Sequence, residues 1–204
     1  SIQIIPMMDV PGHMNAVIQA MDKLGITGST DKVYYRCNNK GRSFNPTDTT
    51  KVDFVKALMA KYIAYFSGKN CKYFNIAGDE CGFEQMDGTT YNAFISLMND
   101  LNASIKGAGM TTMMFNDGVY NTHINADSYE NKFDTDIIIC YWTAGEHYAT
   151  SSELAQSFNL INTYGHWYYV AGNTTSNWGG YQYALSHMSQ NGCTACDGGA
   201  TANT

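Results

Sequence analysis

The alternation of short apolar runs with longer amphipathic runs constrains the fold of this 204-residue chain more than any other feature of its sequence. The apolar runs contain few polar residues, which is typical of parallel strands buried on both faces. Between them, apolar residues repeat every three or four positions, which indicates helices. The sequence therefore predicts an α/β fold built on a parallel sheet. The predicted strands are residues 2–8, 73–77, 111–115, 136–141 and 158–162.

Four amphipathic segments lie between these runs, and their ends carry residues that favour helix termini. The first stops at Gly25, and glycine is favoured just beyond a helix because it adopts positive φ without steric cost. The second begins near Asp48, which is suited to an N-cap, and ends before Gly68. The predicted helices cover residues 14–24, 47–67, 90–106 and 151–156, with a further helix at 181–188 and no strand after residue 173.

Polar or aromatic residues follow each predicted strand at its carboxyl end. In a (β/α)8 barrel the chemistry is assembled from those ends around one axis, so this distribution favours a TIM barrel over an open sheet. A closed barrel has eight strands and about 250 residues, whereas only five strands are predicted here. We therefore expect residues 1–204 to be part of a single barrel domain. The residues at these ends are Asp9, Asp79, Glu80, Asn116, Asp117, Trp142, Trp167, Tyr168 and Tyr169.

The charge and hydropathy of the chain exclude several classes of partner. The net charge is −6 at pH 7, so the chain has no excess of positive charge with which to bind nucleic acid. The longest apolar runs are far shorter than the roughly 20 residues that a membrane-spanning helix needs. The first residues resemble a strand and carry no signal-peptide pattern, so any targeting segment is expected upstream.

The cysteines and histidines do not form a recognisable metal site. In a domain of this length, buried free thiols are favoured over disulfides for the six cysteines. Cys193 and Cys196 have the spacing of half a zinc or redox site, but no second pair accompanies them. The five histidines are scattered, and the sequence predicts no metal.

Asp79 and Glu80 are adjacent carboxylates at the end of the second predicted strand. Like charges at close range disfavour joint ionisation, so one carboxyl is expected to stay protonated and the other to be an anion. Glycoside hydrolysis uses such a pair, with a proton donor for the leaving oxygen and a negative group near the sugar ring. Both side chains can reach one pocket only if the strand breaks, and Gly78 permits that break.

Aromatic residues make up 13% of the chain, and several of them follow predicted strands. Sugar rings stack their C–H faces on aromatic rings, so these side chains are candidates for the wall of a sugar site. Burial in the core is the alternative and is expected to claim about half of them. The candidates are Trp142, Trp167, Tyr168, Tyr169 and Trp178.

Five segments, in order along the chain, resemble family 20 glycoside hydrolases, and within that family the surface exo-β-N-acetylglucosaminidases of streptococci. They are residues 4–13 (IIPMMDVPGH), 75–80 (NIAGDE), 114–118 (MFNDG), 141–143 (YWT) and 162–169. The resemblance implies a (β/α)8 barrel and a glycan substrate with a terminal β-linked N-acetylhexosamine. It also implies a secreted or cell-surface protein that needs no cofactor.

The resemblance further implies a role for each matched residue. Glu80 protonates the glycosidic oxygen and later activates water, while the 2-acetamido oxygen of the substrate attacks the anomeric carbon and forms an oxazolinium intermediate. Asp79 accepts the acetamide N–H, and Tyr168, with Tyr169 as second choice, bonds the acetamide oxygen. Trp142 lines the acetamide pocket. Asp9, His13 and Asn75 belong to a supporting shell, and Asn116 and Asp117 reach substrate or bound water.

Two other readings of the sequence are open. The first is a non-catalytic carbohydrate-binding or adhesion module on the same scaffold, which the aromatic content and the missing strands favour. The second is a family 18 chitinase, which is weaker because the spaced acidic run typical of that family is absent. Glu80 favours the enzyme over the binding module, because such a module has no need for a second carboxyl beside Asp79.

Overall fold

The computed structural model describes residues 2–26, 34–35, 42–163 and 196–197. Helices α1 to α4 span Asn15–Lys23, Thr49–Ser67, Gly88–Gly107 and Ser151–Leu154. Strands β1 to β7 span Tyr34–Tyr35, Arg42–Ser43, Tyr73–Asn75, Thr111–Phe115, Ile138–Tyr141, Leu160–Asn162 and Cys196–Asp197. Strands β1 and β2 form a short antiparallel hairpin, and the other five form one sheet.

The main sheet is entirely parallel, and its strands lie side by side in chain order, β3-β4-β5-β6-β7. A doubly wound sheet reverses its strand order at a switch point, whereas a (β/α)8 barrel adds each strand next to the one before it. The order found here is therefore that of an incomplete α/β barrel, as predicted. It brings the carboxyl ends of successive strands to one edge.

The four helices predicted before residue 160 are confirmed, and Asp48 acts as the expected N-cap of the second. The side chain of Asp48 accepts the backbone N–H of Lys51 at 3.2 Å at the start of α2. Helix α3 starts two residues earlier than predicted because Asp87 caps it by accepting the N–H of Thr90 at 2.8 Å. Among the described residues, no helix is long and apolar enough to span a bilayer.

Residues 2–8 were predicted to be a strand buried on both faces, and most of their apolar side chains are instead exposed. The segment pairs with β3 through a single bridge at Met7, with Met8 donating its N–H to the Asn75 carbonyl at 3.0 Å. Ile2 and Ile4 are 94% and 65% exposed. Within the described residues, β3 is the one strand that this segment pairs with; Pro6 is buried and Met8 packs against the core, whereas Ile2 and Ile4 do not.

The sequence predicted no strand after residue 173, but β7 lies there. It pairs with β6 over only two residues. A two-residue strand is too short to leave a periodic pattern. The predicted helix at 181–188 lies outside the described residues. Cys71, Cys81 and Cys140 are buried free thiols, as expected, while the side chains of the other three cysteines lie outside the described part of the chain.

Candidate active site

The loop after β3 leaves extended geometry directly before the acid pair. Ala77, Gly78 and Glu80 have φ values of 55°, 68° and 43°, and Gly78 donates its N–H to the Ile76 carbonyl at 2.8 Å. Non-glycine residues at positive φ are sparse and concentrate at functional sites, where the surrounding structure has to hold them. The strand break expected at Gly78 is therefore present, and two strained neighbours accompany it.

Asp79 and Glu80 converge on one imidazole. His13 Nε2 lies 3.2 Å from Asp79 Oδ2 and 3.4 Å from Glu80 Oε2. The same nitrogen lies 3.8 Å from Asp9 Oδ2. His13 follows the Pro11–Gly12 segment that leads from the first extended run, so two neighbouring strand ends build this cluster.

The contacts with both carboxylates raise the pKa of His13 to about 10, the bond to Asp79 being the larger cause. Asp9 is mostly buried and accepts the backbone N–H of Asp79 at 3.2 Å. Burial, followed by the charge of Asp79, raises the pKa of Asp9 to about 7. The imidazolium thus places a positive charge between the two carboxylates, which offsets the mutual repulsion on which the sequence argument relied.

Asp9, His13 and Asp79 also bring three possible metal-donor atoms within 4.8 Å of one another. The same His13 nitrogen also lies 3.4 Å from Glu80 Oε2, and we describe these four side chains together as a charge cluster.

The loop after β4 anchors the acid pair from the other side. Asp117 is 2% exposed, and its Oδ2 accepts the backbone N–H of Glu80 at 2.6 Å. Its Oδ1 accepts the indole N–H of Trp142 at 3.2 Å. Burial and then the charge of Asp79 raise the pKa of Asp117 well above its usual range. Asp117 thus ties the end of β3 to the end of β5.

Asn116 is fully buried and holds the backbone after β5, while the substrate contact expected from the sequence stays a prediction. Its Oδ1 accepts the backbone N–H groups of Trp142 at 2.8 Å and Thr143 at 3.2 Å. Its amide donates to the Thr143 carbonyl at 2.8 Å. Asn75 plays a similar part at the end of β3, where its Oδ1 accepts the N–H of Ala77 at 2.8 Å.

Trp142 is the one predicted aromatic wall residue within the described part of the chain. Its ring is partly buried and meets Phe115 edge to face with centroids 6.4 Å apart. Together with the bond to Asp117, this contact fixes the indole beside the acid pair. The other predicted wall residues, Trp167, Tyr168, Tyr169 and Trp178, lie outside the described residues.

A cavity of about 280 Å³ opens next to Glu80 and Asp117. Its further walls come from three loops and include Phe83, His123 and Tyr148. The sequence gave no reason to select these residues, because the histidines carry no motif and the walls meet only through the fold. The aromatic content of the chain was the single signal that pointed toward them.

Comparison with known proteins places this geometry in a family. The profile described as "Glycosyl hydrolase family 20, catalytic domain" matches residues 1–198. A solved structure of the pneumococcal virulence factor StrH superposes with a TM-score of 0.70 at 32% identity, covering 85% of this chain and 43% of that chain. A structure of the pneumococcal exo-β-D-N-acetylglucosaminidase StrH has a TM-score of 0.67 at 31% identity, covering 81% of this chain and 41% of that chain.

Two further relatives are more distant. Dispersin B has a TM-score of 0.63 at 21% identity, covering 93% of this chain and 56% of that one, and supports the fold alone. Lacto-N-biosidase of Bifidobacterium bifidum is 26% identical over 162 residues, which covers 69% of this chain and 13% of that protein. The chain spans less than half the length of the StrH structures. It belongs to glycosyl hydrolase family 20.

Proposed function

We propose that residues 1–204 form part of the catalytic barrel of an exo-acting β-N-acetylhexosaminidase. The enzyme removes terminal β-linked N-acetylglucosamine or N-acetylgalactosamine from glycans. Membership of family 20 supports the reaction class, and the 32% identity to StrH, named as an exo-β-D-N-acetylglucosaminidase, supports the substrate class. The same likeness supports a secreted or cell-surface location.

The convergence of Asp79 and Glu80 on His13 is the observation that carries this proposal. Glu80 borders an open cavity, so in its protonated form it can donate a proton to a glycosidic oxygen held there. The Glu80 carboxylate left behind lies 3.4 Å from an imidazolium, which stabilises the new negative charge. The carboxylate then accepts a proton from water in the second step.

Asp79 supports attack by the amide of the substrate itself. Its Oδ2 contacts His13, while its Oδ1 is buried and has no hydrogen-bond partner among the described residues. A buried acceptor without a donor costs about 1–3 kcal/mol. The acetamide N–H of a bound sugar would satisfy it and turn the carbonyl oxygen toward the anomeric carbon. The reaction then retains configuration through an oxazolinium ion.

Aromatic residues complete the proposed site. Trp142 borders the acetamide group, since its indole is fixed to Asp117 beside the acid pair. On the family resemblance, Tyr168, or Tyr169 as second choice, bonds the acetamide oxygen, and Trp167 and Trp178 contribute to the sugar wall.

The substitution Glu80→Gln tests the function. In the native-length protein, release of nitrophenol from an aryl β-N-acetylglucosaminide should fall by roughly 10²–10⁴-fold, the usual contribution of a general acid. Glu130→Gln is the matched control, because Glu130 is exposed and borders neither the cluster nor the cavity. It should keep the wild-type rate. Sugar binding without turnover by the wild type would instead support the carbohydrate-binding module.

A further inference from the structure

Tyr91 is a fully buried tyrosine near the start of α3, and its hydroxyl group bonds to the turn after β4. The O–H donates to the Gly118 carbonyl at 2.7 Å. The same oxygen accepts the backbone N–H of Tyr120 at 3.0 Å. A phenolic hydroxyl can both donate and accept, and here both capacities are used on one turn. The two bonds therefore fasten this turn to α3.

The ring of Tyr91 is fixed by its own packing, so its hydroxyl has a defined position. It stacks on Phe94 with centroids 5.9 Å apart and planes 18° from parallel. Tyr129 meets it edge to face at 4.7 Å, and Phe133 does so at 6.3 Å. Burial raises the pKa of the Tyr91 hydroxyl above its usual range, so the group keeps its proton and remains a donor.

The turn that Tyr91 holds is the one that carries Asp117. Tyr120 has a φ of 54°, which a non-glycine residue keeps only where its surroundings fix it. The Asn121 amide donates to the Asp117 carbonyl at 2.8 Å and closes the turn on itself. Residues 117–121 are thus one hydrogen-bonded unit, and the Tyr91 hydroxyl bonds that unit to the helix.

The same turn is in contact with the loop of the acid pair. Asp117 Oδ2 accepts the Glu80 N–H at 2.6 Å. Gly118 lies so close to Phe83 that a Cβ at Gly118 would be 2.5 Å from the end of the Phe83 ring. A shift of the turn would therefore act on Glu80 directly and on the chain three residues later. A general acid works only within hydrogen-bond reach of the leaving oxygen, so a small shift matters.

We propose that Tyr91 is a positioning residue for proton transfer by Glu80, acting through residues 118–120 and Asp117. Tyr91 is 0% exposed, so it does not touch the substrate. Its hydroxyl holds the turn, the turn places Asp117, and Asp117 fixes the backbone of Glu80. This inference rests on the proposed function, because it takes Glu80 as the general acid.

The test compares two aryl N-acetyl-β-glucosaminides in the native-length protein. Dinitrophenolate is a weak base and leaves without a proton, whereas unsubstituted phenol needs the proton of Glu80. For Tyr91→Phe, the ratio of the kcat/KM values, phenyl over dinitrophenyl, should fall roughly fivefold, a fraction of the roughly 10²–10⁴-fold contribution of a general acid. A merely structural role would lower both values equally, because the same folded molecules act on both substrates.

Tyr129→Phe is the matched control. It removes a hydroxyl from a ring that packs on Tyr91, and that hydroxyl makes no hydrogen bond to the turn in the described part of the chain. Its ratio should equal that of the wild type. In a Glu80→Gln background, Tyr91→Phe should not change the ratio further, because no acid is left to misplace.

Gly118→Ala displaces the same turn through Phe83 and leaves Tyr91 intact, so it should also lower the ratio. An unchanged ratio in Tyr91→Phe would overturn the inference. So would an unchanged ratio in Gly118→Ala, which applies even if Tyr91→Phe fails to fold. Failure of the wild type to hydrolyse either substrate would instead overturn the proposed function, so the two failures are distinct.

Discussion

The loops after β3 and β4 both carry acidic residues, but they use them in opposite ways. After β3, Asp79 and Glu80 remain partly exposed and share a charged imidazole, on a backbone with three positive φ values. After β4, Asn116 and Asp117 are buried and bond chiefly to backbone N–H groups. The contrast shows that similar polar residues at two strand ends differ in burial, which separates a reactive loop after β3 from a supporting loop after β4.

The two loops are also connected, because Asp117 accepts the backbone N–H of Glu80. Strained backbone persists only where its surroundings fix it. The supporting loop supplies one such restraint, and Asp9 supplies another by accepting the N–H of Asp79. Disruption of either loop should therefore reach the acid pair.

Among the changes that test this contrast between the loops, the largest effect is expected for Gly12→Ala, which disrupts the reactive loop sterically. A Cβ at Gly12 would lie 2.2 Å from the backbone oxygen of Asp79, which cannot move without displacing the acid pair. We expect kcat/KM to fall by roughly 100-fold, as for a misplacement of about 1 Å, with a loss of about 1–3 kcal/mol of unfolding free energy. Kinetics with an aryl glycoside measure kcat/KM, and urea unfolding measures the free energy of unfolding.

Gly107→Ala is the matched control, since a Cβ at Gly107 meets nothing within 4 Å. It should leave kcat/KM unchanged. Equal kcat/KM values for Gly12→Ala and Gly107→Ala would show that the acid pair tolerates displacement of the Asp79 backbone.

A smaller effect is expected for Asp117→Asn, which weakens the supporting loop. The amide replaces one of two acceptor oxygens, so either the Glu80 N–H or the Trp142 indole N–H is left facing a donor. We expect a loss of about 1–3 kcal/mol in unfolding free energy and a fall of roughly tenfold in kcat/KM. Asp127→Asn, at an exposed position, serves as the control in the same assays. Full activity of Asp117→Asn would show that the supporting loop does not position the acid pair.

The smallest effect is a change in how stability depends on pH. The pKa of His13 is raised to about 10 from its usual 6.5, so its stabilising contribution is complete below pH 6.5 and is lost as pH rises through about 10. The pKa of Asp9 is raised from 3.8 to about 7, so its contribution is lost between those values. His13→Gln should flatten the decline between pH 7 and 10, and Asp9→Asn the decline between pH 4 and 7. The free energy of unfolding in urea is measured at each pH. If it varied with pH in both variants as it does in the wild type, the charge cluster would be contradicted.

Much of the fold could be predicted because its signals are local. Asp48 and Gly68 mark the ends of α2, and β4 begins and ends where its apolar run does. Burial could not be predicted in the same way. Residues 2–8 are as apolar as β4, yet Ile2 is 94% exposed, because burial depends on which neighbours the fold provides.

The acid pair could also be predicted, whereas the division of labour around it could not. Adjacent carboxylates after an apolar run are visible in the sequence, but the complete burial of Asn116 is not. His123 and His147 are 24 positions apart and stack only because two loops meet. No spacing rule for helices or strands relates such positions.

The attack by the amide of the substrate, aimed by Asp79, is the central claim, and binding of a thiazoline mimic of the intermediate tests it most directly. Calorimetry should show that Asp79→Asn binds this compound roughly 10- to 100-fold more weakly than the wild type, because a charge-assisted hydrogen bond is lost. Affinity for methyl β-glucoside, which has no acetamide, should change far less. An unchanged thiazoline affinity in Asp79→Asn would contradict the account.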